Sequence, residues 1–263
     1  MRYYPKKSLG QNFLTNENII SLITNCAKVN KNTTVIELGP GKGSLTEKIL
    51  EKKPKKLIVI EKDQRLLNIL NDKFGSNIKI INDDMLKISY DKYLVEDLII
   101  FGNLPYNIST QILVKLIKIE NLSKFCKKLV LMFQKEVADR ILANSNTNSY
   151  GRLSILSNWR MGIKKVTDIE PECFYPKPKV KSTLLIFEPK KNYFKLKNPK
   201  NLEHITNIFF SQRRKMIKKP MKFIFKNFQE ISKKLDVDLK SRPQNLDKLT
   251  YYKICEIYES LIQ

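Results

Sequence analysis

Histidine is nearly missing from this chain: His204 is the only one in 263 residues. One imidazole does not support a Ser-His-Asp hydrolase or a multi-histidine metal centre. His204 falls on an expected C-terminal helix and reads as surface or packing. Cysteine is sparse as well. Cys26, Cys126, Cys173 and Cys255 lie far apart and none forms a Cys-x-x-Cys unit, so no zinc site is expected. No apolar run is long enough to span a bilayer, and Met1 to Lys7 has no signal-peptide apolar core. The expected location is the cytoplasm, with no membrane and no metal, and the cysteines are expected reduced and structural.

Acidic residues are also in short supply, 26 against 49 Lys and Arg, for a net charge of +23. The excess is uneven. Residues 190–263 carry 18 basic and 7 acidic side chains, whereas residues 1–189 carry 31 and 19. The C-terminal part is thus more than twice as densely positive, which fits a polyanionic partner, most simply nucleic acid. Drift toward Lys under AT-rich codon usage explains part of the excess but not the pair Arg213-Arg214.

Apolar periodicity divides the chain in two. Residues 15–28 have helical spacing, with Thr15 as a plausible N-cap. Short β-rich runs at Thr34–Leu38, Lys56–Ile60, Ile78–Ile81, Leu98–Phe101 and Leu129–Phe133 alternate with helices at Ser44–Lys52, Gln64–Phe74 and Ser109–Lys118. This alternation predicts an α/β fold with a mainly parallel sheet and crossover helices. A final strand is expected at Ser182–Phe187, after the stiff loop Phe174-Tyr175-Pro176-Lys177-Pro178-Lys179. Beyond Glu188-Pro189-Lys190 the period is helical, with helices expected at Leu202–Phe210, Met216–Phe225 and Lys248–Ile262. A boundary near residue 190 therefore separates a sheet domain, 1–190, from a smaller all-helical domain, 191–263.

Every unusual loop follows a strand end, where ligands bind in such sheets. Glu37-Leu38-Gly39-Pro40-Gly41-Lys42-Gly43 follows the first strand and opens a helix, so its backbone can approach a ligand closely. Glu61 ends the second strand, where a carboxylate can hold both hydroxyls of a ribose. These two features admit NAD or S-adenosylmethionine. Asn82-Asp83-Asp84-Met85 ends the third strand, and an acid there can accept from an adenine amine. The fourth strand ends in Asn103-Leu104-Pro105-Tyr106. An amide oxygen and a backbone carbonyl in this turn can accept both hydrogens of an exocyclic amine, and Tyr106 can hold the flat ring that bears it. Pro105 stiffens the turn and brings no competing N–H. Together the four loops favour a nucleoside-plus-methyl cofactor over NAD, and methyl transfer to a ring amine.

Lys7-Ser8-Leu9-Gly10-Gln11-Asn12-Phe13-Leu14, the Glu37–Gly43 loop, Gly102–Thr110, Tyr150-Gly151-Arg152-Leu153-Ser154, Cys173–Val180 and Phe210-Ser211-Gln212-Arg213-Arg214-Lys215 together resemble the rRNA adenine dimethyltransferases. The likeness covers nearly the whole chain, and the last segment is more similar to the KsgA-type housekeeping branch than to the Erm resistance branch. It implies a Rossmann-like class I methyltransferase sheet of about seven strands, the last antiparallel. S-adenosylmethionine is the implied cofactor. The implied substrate is two adjacent adenines in a hairpin loop near the 3′ end of small-subunit rRNA, within a pre-30S particle, and the implied product is dimethyladenosine. A monomer is the default.

The resemblance also implies roles. Asn12 and Leu14 lie over the cofactor. Gly39 lines its methionine side, Glu61 holds the ribose and Asp83 binds the adenine, with neighbouring Asp84 the alternative. Asn103 contacts both cofactor and target amine. Tyr106 stacks on a flipped target base, and Phe174 covers its other face or packs in the core. Arg213, Arg214 and Lys215 contact rRNA, together with Lys218, Lys219 and Lys222 on a stretch expected to be helical. Three rival readings stand beside this one: a mainly binding role as a checkpoint in small-subunit assembly, an Erm-like enzyme acting on large-subunit rRNA, and a transcription cofactor on the same scaffold.

Overall fold

The computed structural model describes Pro5 and residues 10–262. Lys7, Ser8 and Leu9 of the N-terminal motif lie outside the described residues. In chain order the elements begin with β1 (Phe13–Leu14), α1 (Glu17–Asn25), β2 (Thr34–Leu38), α2 (Ser44–Leu50), β3 (Lys56–Glu61), α3 (Gln64–Phe74), β4 (Lys79–Asn82), β5 (Leu98–Asn103), α4 (Ser109–Lys118) and α5 (Leu122–Phe125). There follow β6 (Cys126–Gln134), α6 (Lys135–Leu142), α7 (Arg152–Arg160), β7 (Met161–Ile169), β8 (Phe174–Tyr175), β9 (Ser182–Pro189), α8 (Pro199–Phe210), α9 (Lys218–Ile224), α10 (Phe228–Lys234) and α11 (Lys248–Leu261).

The residues divide into two compact units: 1–138 with 161–191, and 139–160 with 192–263. A single linear boundary near residue 190 does not describe this, because residues 139–160 group with the C-terminal helices. Side-chain chemistry explains the grouping. Trp159 Nε1 on α7 donates to the Phe194 carbonyl at 2.7 Å, and Tyr252 Oη on α11 donates to the Ile155 carbonyl at 3.0 Å. Buried Trp and Tyr need such partners for their polar ends.

The first unit holds a seven-stranded sheet in the order β4-β3-β2-β5-β6-β9-β7. Strands β4, β3, β2, β5 and β6 are parallel, and β9 runs antiparallel to both β6 and β7. Strands β2 and β5 are buried over nearly their whole length, as strands covered on both faces should be. Val35, Val59, Ile99, Phe101 and Val130 form one side of the core with Ile20 and Ile23 of α1 and Leu70 and Phe74 of α3. Asn16, not Thr15, caps α1: its side chain accepts from the Ile19 N–H at 3.1 Å. A separate antiparallel ribbon pairs β1 with β8, Phe13 opposite Tyr175 and Leu14 opposite Phe174.

The second unit is helical. Leu202, Ile205 and Phe209 of α8 and Tyr251, Ile254 and Cys255 of α11 are buried, and the Tyr251 ring meets Phe209 edge-to-face and Phe210 at a tilt. The buried Glu259 carboxylate accepts from the Lys197 and Asn198 backbone amides at 2.7 and 2.9 Å and from Asn201 Nδ2 at 3.0 Å. His204 is exposed on α8, its ring 5.8 Å from that of Tyr258. No helix among the described residues is long and apolar enough to cross a membrane.

Candidate active site

Parallel strands that end together leave a rim of loops, and the loops after β2, β3, β4 and β5 enclose one cavity of about 330 Å³. That is within the range of roughly 300–1,000 Å³ usual for small-molecule sites. Its wall includes Asn12 and Leu14 from the N-terminal segment, Gly39 and Gly41, Glu61, Asp84, and the whole Asn103–Tyr106 turn.

The first loop owes its shape to glycine. Gly39, Gly41 and Gly43 have φ of +67°, +59° and +82°, a region that costs little only without a Cβ. At Gly41 a Cβ would also sit 2.7 Å from the Phe13 ring, so the N-terminal ribbon closes directly onto the loop. Lys42 Nζ lies 5.4 Å from the centroid of the same ring.

Two carboxylates are buried at this rim. Glu61 Oε1 accepts from the Lys62 and Asp63 backbone amides at 2.8 and 2.9 Å. Burial nevertheless pushes its pKa up. Glu37 is 1% exposed on β2 and accepts from Thr46 Oγ1 at 2.7 Å. Burial pushes its pKa up to about 8, against the Thr46 hydrogen bond, and the Glu61 charge adds to the rise. Burial holds these carboxylates toward their protonated forms, and a nearby cation favours their ionisation, so the site suits a cationic, hydroxyl-bearing guest. The glycine cradle and these two carboxylate acceptors fit S-adenosylmethionine. In the sequence, Glu37 stands out only as the first residue of its glycine motif. Its signal was a carboxylate inside an otherwise apolar buried strand, which requires a partner.

The third loop separates the two candidate acids. Asp84 lines the cavity; its carboxylate takes Lys62 Nζ at 2.8 Å and the Leu86 N–H at 2.9 Å, and the Lys62 hydrogen bond, first among the causes, lowers its pKa. Asp83 is not among the residues lining the cavity, and its Oδ1 accepts from the Asp84 N–H at 2.6 Å. In this conformation Asp84, rather than Asp83, meets the cavity.

The fourth loop is the most defined. Asn103 Nδ2 donates to the Asn12 carbonyl at 3.0 Å, so the amide's donor side is held by the N-terminal segment. The Pro105 carbonyl is taken by the Ile108 N–H and the Tyr106 carbonyl by Ser109 Oγ. Asn103 Oδ1 and the Leu104 carbonyl receive no hydrogen bond among the described residues. They are the two open acceptors of the turn. Tyr106 Oη lies 2.6 Å from Ser182 Oγ on β9, which anchors the ring while its body lines the cavity. Burial raises the Tyr106 pKa against the Ser182 hydrogen bond.

Phe174 is placed differently from the stacking role. It is 4% exposed and packs in the core beside Leu14, Met132 and Leu184, so in this conformation it offers no face to a base. Its neighbour Tyr175 is 58% exposed. In the helical unit, Arg213, Arg214 and Lys215 lie in the turn between α8 and α9 rather than on a helix. Arg213 donates to the Thr147 and Asn148 carbonyls at 3.3 and 2.6 Å, while Arg214 and Lys215 are exposed. The Tyr150–Ser154 motif starts α7. Ser154 Oγ accepts from the Gly151 N–H at 3.1 Å and donates to the Arg140 carbonyl at 2.6 Å.

A profile of the family described as "Ribosomal RNA adenine dimethylase" matches residues 4–262. The chain is 54% identical over 256 residues to "Ribosomal RNA small subunit methyltransferase A" of Pelagibacter ubique, covering 97% of each. It is 40% identical over 246 residues to the protein of that name from a Wolbachia species, covering 92% of this chain and 89% of the other. Among solved structures, a dimethyladenosine transferase from Plasmodium falciparum superposes with a TM-score of 0.79 at 28% identity, covering 92% of this chain and 95% of that one. The 23S rRNA methyltransferase ErmE superposes with a TM-score of 0.68 at 19% identity, over 94% of this chain and 99% of that one, a likeness of fold.

Proposed function

The chain belongs to the ribosomal RNA adenine dimethylase family, and from that premise we propose that it methylates the exocyclic amines of two adjacent adenines in a hairpin loop near the 3′ end of small-subunit rRNA, during maturation of the pre-30S particle in the cytoplasm. S-adenosylmethionine, when bound, supplies an electrophilic methyl group. The Gly39–Gly43 backbone receives it closely, Glu61 holds its ribose, Glu37 faces its cationic end, Asn12 and Leu14 cover it, and the Asp83-Asp84 pair supplies an acceptor for its adenine.

Catalysis is a matter of aim. An adenine amine is a poor nucleophile because its lone pair is delocalised into the ring. Asn103 Oδ1 and the Leu104 carbonyl accept its two hydrogens and favour a more tetrahedral nitrogen whose lone pair points along the line of attack. Tyr106 stacks on the extruded base. Such stacking is worth about 1–3 kcal/mol per base and offsets part of the unstacking cost. Neither acceptor is a useful base, so the proton shed by the alkylated nitrogen goes to water. Asn103 is neutral and tolerates the loss of one N–H after the first methylation, where an Asp would be left as an unpaired buried charge.

The observation that carries this reading is the Asn103–Tyr106 turn, with its two open acceptors on the cavity wall and its amide pinned by Asn12. The test is to incubate the protein with labelled S-adenosylmethionine and immature 30S or 50S particles and to map the modified base. Label on adjacent adenines near the 3′ end of small-subunit rRNA is expected. Label confined to 50S particles would assign an Erm-like activity, and tight 30S binding without label would assign a checkpoint role alone.

A further inference from the structure

Phe223 is the most exposed of the large apolar side chains among the described residues, at 75%. The helix that carries it, α9, has already buried its apolar side through Met221, flanked by buried Ile217 and Phe225. Phe223 is therefore not a core residue awaiting a partner from the same fold. Its surroundings are unusual in charge. Residues 204–229 contain no acid and seven cations: Arg213, Arg214, Lys215, Lys218, Lys219, Lys222 and Lys226. Arg213 is committed to the Thr147 and Asn148 carbonyls. The side chains of the other six are exposed and make no hydrogen bond or ion pair among the described residues. Lys219 precedes Phe223 by one helical turn, on the same face, and Lys222 adjoins it.

We propose that Phe223 is a stacking platform for an unpaired base of the small-subunit rRNA, whose flanking phosphates are held by Lys219, Lys222 and their neighbours. This rests on the rRNA reading above and adds a second contact to it, in the helical unit. Six unmatched cations oppose pairing of this patch with the same patch of a second copy, since like charge would meet like. They call for a polyanion, and an aromatic ring among them calls for one that presents flat, unpaired faces. Duplex RNA has no such faces to offer; splayed loop nucleotides have.

The experiment uses the full chain with Phe223→Leu and Phe223→Trp, measuring affinity for immature 30S particles and for protein-stripped small-subunit rRNA across a salt series. The residue is exposed, so both variants are expected to keep the wild-type melting temperature. Phe223→Leu should weaken binding to both probes about 5- to 150-fold, the equivalent of one lost base–aromatic stack, without altering the slope against log salt. Phe223→Trp should restore it. Lys219→Gln and Lys222→Gln should each instead lower that slope by about 0.7–0.9. Wild-type affinity in Phe223→Leu overturns the proposal. So does a loss seen with particles but not with stripped rRNA, which would seat the ring on a ribosomal protein. A wild-type chain that neither binds nor methylates particles would instead defeat the rRNA reading itself.

Discussion

Asn103 and Glu37 stand on the same cavity wall and make opposite demands on a mutation. Asn103→Ala removes the acceptor oxygen and the Asn12 tether while burying nothing new, so the variant should fold. Its transfer of tritiated methyl groups to rRNA should fall about 100-fold or more, with S-adenosylmethionine binding much less affected; turnover near wild type would remove the aiming role. At Glu37 the sign of the pH effect is fixed by burial. Its folded pKa of about 8 exceeds its ordinary value of 4.5, so between those values the folded chain holds a proton that the unfolded chain gives up. Stability therefore declines as pH climbs through that window and levels off above it. Glu37→Gln cannot ionise and should be the more stable form at pH 9 by on the order of 2 kcal/mol, with no advantage at pH 5, in thermal melts of the ligand-free protein. A cationic guest favours the ionised carboxylate, so wild-type affinity for S-adenosylmethionine should rise between pH 6 and about 8, and Glu37→Gln should lose that dependence in calorimetry.

The glycine loop and the β1–β8 ribbon act together as elements. Gly41→Ala must accommodate both a left-handed backbone and a Cβ only 2.7 Å from Phe13. It should lower the melting temperature by several degrees, the response expected for a loss of about 1–2 kcal/mol, and weaken S-adenosylmethionine binding at least tenfold. Unchanged binding in a stable variant would show that Phe13 can move aside. At this scale, strands with two buried faces announced themselves. Thr34–Leu38 was readable to the residue, as were the helices Gln64–Phe74 and Ser109–Lys118. Strand β7 was not, because it is an edge strand whose residues are mostly half-exposed and lysine-bearing, so no apolar run marks it. Helix α7 was missed for the opposite reason: Ser154 and Ser157 are buried in it, which defeats an amphipathic pattern. β1 and β8 are two residues each, too short for any period. The motif loops were legible because strand ends collect at one rim. What could not be read was which way a side chain points: the sequence left Phe174 open between stacking and core packing, and it packs in the core, while the full burial of the Glu37 carboxylate went unmarked.

Across the whole molecule, charge and connectivity matter most. Arg214→Glu should weaken rRNA binding and flatten its salt dependence with little change in melting temperature. Arg213→Ala should cost stability instead, because that guanidinium holds the 147–148 backbone; equal thermal behaviour of the two variants would argue against this division. The chain passes between its two units at residues 138/139, 160/161 and 191/192, and this constrains its synthesis. Helix α7 leaves the ribosome about 100 residues ahead of the end of α11, its partner. At roughly 5–20 residues per second, Ile155 waits some 5–20 s for Tyr252, whereas the Tyr193–Phe194 segment reaches Trp159 sooner. The nascent enzyme thus has a window in which one hydrophobic face still lacks part of its cover. Ribosome-bound chains stalled near residue 200 should be captured by holdase chaperones far more than chains stalled after α11 has emerged.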